Sequence, residues 1–120
     1  MIQNPHKLFQ AAFWGALCSA FALAIMPEPP GVLAAVDDKL QHLLAFLILG
    51  ALAALAYPGV RLILLLLGLA VFGGLIEGVQ ASPQIGRTPD IVDWLADLLG
   101  ASIGLLVAAI VRSRGSLRQD

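Results

Sequence analysis

LILLLLGLAVFGGLIEGVQA, residues 62–81, decides the fold. This run carries one formal charge, on Glu77. As an α-helix it reaches roughly 30 Å, the thickness of a bilayer's hydrocarbon core. Arg61 precedes it and Ser82-Pro83 closes it. Three comparable stretches surround it. Leu8–Met26 is uncharged and is stopped by Pro27, Pro29, Pro30 and Gly31. Leu40–Tyr57 is closed by Pro58-Gly59, and Ile91–Val111 runs into a basic polar tail. Lipid offers no water to backbone N–H and C=O groups, so each stretch is expected to be a helix. The expected fold is all-α: one four-transmembrane-helix bundle over residues 1–120, with spans at about 8–26, 40–57, 62–81 and 91–111.

Composition excludes the main alternative. The chain is 59% hydrophobic and 12% charged, with mean hydropathy +0.89. A soluble domain carries about 25% charged residues. No basic run points to nucleic acid. The single Cys18 permits no disulfide within the chain, and it reads as an inert thiol in a packed apolar helix.

Charge is segregated along the chain. Seven of the eight acids (Glu28, Asp37, Asp38, Glu77, Asp90, Asp93, Asp97) fall around two breaks in the apolar sequence. Lys7, Arg61, Arg112, Arg114 and Arg118 fall at the other breaks and the ends. Basic loops stay in the cytoplasm, so both termini and the Arg61 turn are expected inside and the loops 27–39 and 82–89 outside. The expected location is a membrane with its basic side in the cytoplasm, crossed several times. The competing reading is a signal peptide cleaved after Ala22-Leu23-Ala24; the length of the first span and its weak positive region favour a retained helix. Small-residue stripes (Ala11, Gly15, Ser19; Gly74-xxx-Gly78; Gly100-xxx-Gly104) suggest close helix contacts and leave oligomerisation open.

With this topology, three helix ends meet at the outer face. The second span opens Asp37-Asp38-Lys39-Leu40-Gln41-His42, with Lys39, His42, Phe46 and Gly50 on one face. Gly73, Glu77 and Gln80 share a face of the third. The fourth opens Thr88-Pro89-Asp90, a cap followed by proline at the first helical position, and carries Asp93, Asp97, Gly100 and Gly104 in a stripe. Counted from Pro83 and Asp90, Glu77 and Asp97 lie roughly 9–10 Å inside their helices. An acid at that depth costs a few kcal/mol unless paired, protonated or functional. Asp37, Asp38, Lys39, Arg87 and Asp90 lie at the interface, where they also serve as ordinary helix-end charges. Trp14 and Trp94 read as interface or packing aromatics. The expected binding set is Asp38, Lys39, His42, Glu77, Gln80, Arg87, Asp93 and Asp97. Of these, Glu77, His42 and Asp97 are the candidates for catalysis. Metal binding by His42, Glu77 and Asp97 has no fixed spacing signature, and neither a metal nor another cofactor is expected.

At these residues the chain resembles the VanZ-like family of small bacterial membrane proteins. The matching elements are Asp38-Lys39-x-x-His42 with Phe46 and Gly50, then Glu77-x-x-Gln80, Arg87, Asp93, Gly100 and Gly104, covering about residues 37–105. The family often has asparagine where this chain has Asp97. The resemblance implies a membrane protein associated with low-level teicoplanin resistance and supplies no catalytic mechanism. Two functions follow as expectations. One is a non-enzymatic protein whose outward polar pocket binds or modulates a membrane lipid, a lipid-linked wall precursor or a lipoglycopeptide. The other is an intramembrane enzyme acting on a lipid or lipid-linked substrate, with Glu77 as acid or base, His42 or Asp97 assisting, and Arg87 and Lys39 holding phosphate. No Ser or Cys stands beside a base to act as nucleophile. Ion or proton movement is disfavoured, because Val60–Phe72 and Leu105–Val111 offer no inner relay.

Overall fold

The computed structural model describes residues 5–26, 37–84 and 91–119, with side chains through 115. Four helices are described: α1 (Pro5–Ala24), α2 (Asp38–Ala56), α3 (Leu62–Gln80) and α4 (Ile91–Gln119). All four are long and apolar enough to cross a membrane. The surface is apolar as well: Leu44 and Ile48 on α2, Leu67 and Val71 on α3, and Leu99 and Leu106 on α4 all point outward. A bundle with leucine outside and carboxylates inside has the architecture of a multi-pass membrane protein.

The helix limits differ from the sequence reading at both termini. Pro5 opens α1 three residues early, at a position where the missing N–H costs nothing. It ends at Ala24, and the following turn is closed by the Ile25 N–H to Phe21 O. α4 does not stop at Val111 but continues as one helix through the basic tail to Gln119, because that tail holds no proline and Gly115 alone does not break a helix. Glu28, Arg87, Thr88, Pro89 and Asp90 lie outside the described residues.

α2 touches each of the other helices. Its seam with α4 is backbone against backbone: Gly100 sits on the Leu43 carbonyl, Gly104 on the Leu47 carbonyl, and Gly50 on the Ala101 carbonyl. A Cβ at any of the three would strike an oxygen. The other small-residue stripes are not used this way. Gly78 and Gly15 have nothing within 4 Å of the Cβ position, and Ala11, Ser19 and Cys18 face outward with Gly15. On α3 the close approach falls instead on Gly73, one residue before the Gly74-xxx-Gly78 pair.

The last carbonyls of α2 have no partner within the helix. Tyr57 N–H donates to Ala53 O, Arg112 to Ala54 O, and Gln10 Nε2 to Ala56 O at 3.2 Å, while His6 Nδ1 lies 3.4 Å from Leu55 O. Trp14 Nε1 donates to the Tyr57 hydroxyl at 2.7 Å. The start of α1, the end of α2 and the late part of α4 therefore share one end of the bundle, with Lys7, Arg61 and Arg112. Gln80 Nε2 donates to Ala24 O at 2.9 Å and joins α3 to α1 at the opposite end.

Gly100→Ala and Gly104→Ala are each expected to lower unfolding stability in mixed micelles by about 1–3 kcal/mol, the usual cost of overpacking. Gly78→Ala faces open space and should stay within about 0.5 kcal/mol of wild type.

Candidate functional site

The polar stripes of α2, α3 and α4 converge at the end of the bundle away from Arg61 and Arg112. His42 is one turn into α2, Glu77 is in the last turn of α3, and Asp93 and Asp97 are in the first two turns of α4. All four are buried. Asp97 lies about 9 Å along α4 from Ile91, as expected, but α3 ends at Gln80, so Glu77 is only about 4.5 Å from its helix end. Its burial comes from the neighbouring helices, not from depth along its own.

The centre is one pair. His42 Nδ1 lies 2.6 Å from Asp97 Oδ1 and donates to it in the Nδ1–H form. That bond turns the other ring nitrogen, Nε2, toward Asp38 Oδ2 at 3.8 Å and Glu77 Oε1 at 4.0 Å. Both separations exceed hydrogen-bond length. At the rim, Lys39 Nζ lies 3.4 Å from Asp93 Oδ1. The N-termini of α2 and α4 both point here, and their positive dipole ends favour Asp38 and Asp93 in the first turns.

Asp97 is 0% exposed, and its Oδ2 accepts no hydrogen bond among the described residues. It rests against Gly73, where a Cβ would fall within 2.7 Å of it. Trp94, one turn earlier on α4, donates from Nε1 to Ala70 O at 3.0 Å and fastens α4 to α3. A single set of contacts thus sets the carboxylate: glycine leaves room below it, tryptophan fixes its helix, and histidine takes one oxygen.

Toward the opposite end the polar groups give way to aromatic packing. Phe46, one turn below His42, stacks at 5.9 Å on Phe72, and Phe21 of α1 lies 6.3 Å from Phe72. Beyond them the buried residues include Leu49, Ala53, Leu69, Leu105 and Ala108.

The structure brings together six of the eight sequence-selected residues: Asp38, Lys39, His42, Glu77, Asp93 and Asp97. Gln80 is buried on the same side of α3, but its amide is committed to the Ala24 carbonyl of α1. Arg87 lies outside the described residues. Sequence reading passed over Gly73 as a seat for the carboxylate and Trp94 as the tie to α3. The signal was register: Gly73 lies four residues before Glu77 and Trp94 three before Asp97. Two overlapping donor sets share His42. One is Asp38, His42 and Asp93, the other is His42, Glu77 and Asp97, and in each the candidate ligand atoms lie within 4.8 Å of one another.

Comparison with protein-family models, with curated proteins and with solved structures finds no match to this chain.

His42→Leu should destabilise the bundle by about 3–5 kcal/mol, because it strands a fully buried carboxylate. The double variant His42→Leu/Asp97→Leu should recover most of that loss, and a double-mutant cycle read by unfolding in mixed micelles measures the coupling.

Proposed function

We propose that this is a bacterial cytoplasmic-membrane protein of the VanZ-like kind. Its buried acid–histidine cluster faces outward and engages the polar head of a cell-envelope amphiphile, such as a membrane lipid, a lipid-linked wall precursor or a lipoglycopeptide. The observation that carries the reading is the His42–Asp97 pair, enclosed at one bundle end with Glu77 and Asp93 beside it. Ionisable groups retained within a membrane bundle mark a working site more often than a structural one. The cluster holds more carboxylates than cations among the described residues, which favours a head presenting amines or sugar hydroxyls over a bare phosphate. Orientation follows from the separation of charge: Lys7, Arg61 and Arg112 lie at the far end, which belongs in the cytoplasm with both termini.

An intramembrane enzyme is the second reading, and one geometry favours it. His42 is oriented by Asp97 through Nδ1 and presents Nε2 toward Glu77, the arrangement of a base held by a third group. The nearby hydroxyl of Ser102 donates to the Leu98 carbonyl of its own helix, and Cys18 is on the outer face of α1. This reading takes water or the substrate itself as the nucleophile, with Glu77 as acid or base.

Two measurements test this. A phosphatase fused after Ser82 should be active and one fused after Gln119 inactive; the reverse pattern would place the cluster in the cytoplasm and end the envelope reading. Expressed in a Gram-positive host, the wild type should reduce susceptibility to teicoplanin more than to vancomycin. Glu77→Gln, at matched membrane abundance, should lose that protection. Equal protection by both proteins removes Glu77 as acid or base. No protection by wild type removes the resistance role.

A further inference from the structure

We propose that His42, Glu77 and Asp97 hold one divalent cation of the Zn²⁺ or Mn²⁺ class, in place of the proton shared by His42 and Asp97. The donors come from three helices, one ligand atom each, all within 4.8 Å of one another. Ligands bound at about 2.0–2.2 Å stand roughly 3–3.5 Å apart, so side-chain adjustments of an ångström or so close the site. One imidazole with carboxylates suits these ions; Ca²⁺ and Mg²⁺ prefer all-oxygen shells of six or more ligands.

The second observation is Asp97 Oδ2. It is fully buried, lies against Gly73 of α3 one turn before Glu77, and accepts no hydrogen bond among the described residues. A buried acceptor left idle has lost its hydration without compensation. A protein that tolerates this at membrane depth, beside the carboxylate of Glu77, has an acceptor built for a positive ligand.

The surrounding charges agree. The carboxylates of Asp38, Glu77, Asp93 and Asp97 face Lys39 and His42, so even with the imidazole protonated the described set carries a formal excess of two negative charges. Asp38 is half-exposed, and with His42 and Asp93 it forms the outer donor set. The two sets share the imidazole, which makes a route from the surface: an ion captured at Asp38 and Asp93 passes inward to Glu77 and Asp97. The apolar layer of Phe46 and Phe72 closes the inner side, so the ion is held and not conducted. This inference stands apart from the envelope-ligand reading, because the purified protein binds the ion with no amphiphile added.

The test uses the full chain in detergent, stripped with chelator and titrated with Zn²⁺ by calorimetry, then loaded with Mn²⁺ for electron paramagnetic resonance. One saturable ion per chain is expected, with proton release on binding because it replaces a shared proton. Mn²⁺ should show hyperfine coupling to a single imidazole nitrogen. Glu77→Gln and Asp97→Asn should each weaken binding at least about tenfold. Gly78→Ala, on the outer face of α3, should leave it unchanged. Absence of stoichiometric binding overturns the proposal, as does binding without nitrogen coupling in the wild type. Both of those readouts need no variant to fold. Undiminished affinity in Glu77→Gln/Asp97→Asn overturns it as well. If metal binds as expected but the phosphatase fusions place the cluster in the cytoplasm, the site stands and the envelope reading falls.

Discussion

Backbone contact between α2 and α4 is the constraint from which the other arrangements follow. Three glycines remove the side chains that normally hold helices 8–10 Å apart, so carbonyls of one helix rest on the α-carbons of the other. In lipid this close packing supplies what hydrophobic burial supplies in water, since the surroundings are as apolar as the interior. The seam also sets register. With Gly100 on the Leu43 carbonyl, the preceding turn of α4 places Asp97 opposite His42, and they meet at 2.6 Å.

The two ends of this paired core are finished differently. At the basic end, the final carbonyls of α2 are met by side chains from α1 and α4, including the half-buried Arg112, which donates to Ala54 O. Cations suit a helix C-terminus, where the dipole is negative. At the acidic end, the N-termini of α2 and α4 meet carboxylates for the opposite reason. The dipole thus suits the charges at both ends of α2 and α4, whereas Lys7 and Arg61 at the starts of α1 and α3 and Glu77 in the last turn of α3 stand against it.

Site and scaffold are coupled through Asp97. Holding its carboxylate in place requires Gly73 to keep its empty face, Trp94 to tie α4 to α3, and His42 to keep its bond to Oδ1. A cluster so enclosed has little freedom to reorganise, which suits recognition or ion holding by preformed geometry. Phe21, Phe46 and Phe72 separate it from the basic end. The acid–histidine cluster is thus confined to one end of the bundle.

The number of spans, their approximate limits and the separation of acid from base were legible in the residues themselves. Hydropathy and charge act locally, and 62–81 is long, apolar and uniform enough for a helix that can cross a membrane. The inward faces were legible for a similar reason: residues three and four apart share a side, so His42 with Phe46 and Gly50, and Asp93 with Asp97, Gly100 and Gly104, mark themselves as stripes. What stands opposite each stripe was not legible. Periodicity gives a direction around one helix and carries no information about its neighbour, so only the tertiary structure paired His42 with Asp97 and Lys39 with Asp93. It also turned Gln80 to the end of α1, and it chose Gly73 over Gly74 as the seat of a carboxylate. A spacing motif for the donors His42, Glu77 and Asp97 could not exist, because each comes from a different helix. Their proximity is a property of packing, and packing was decided by three glycines whose partners lie more than fifty residues away.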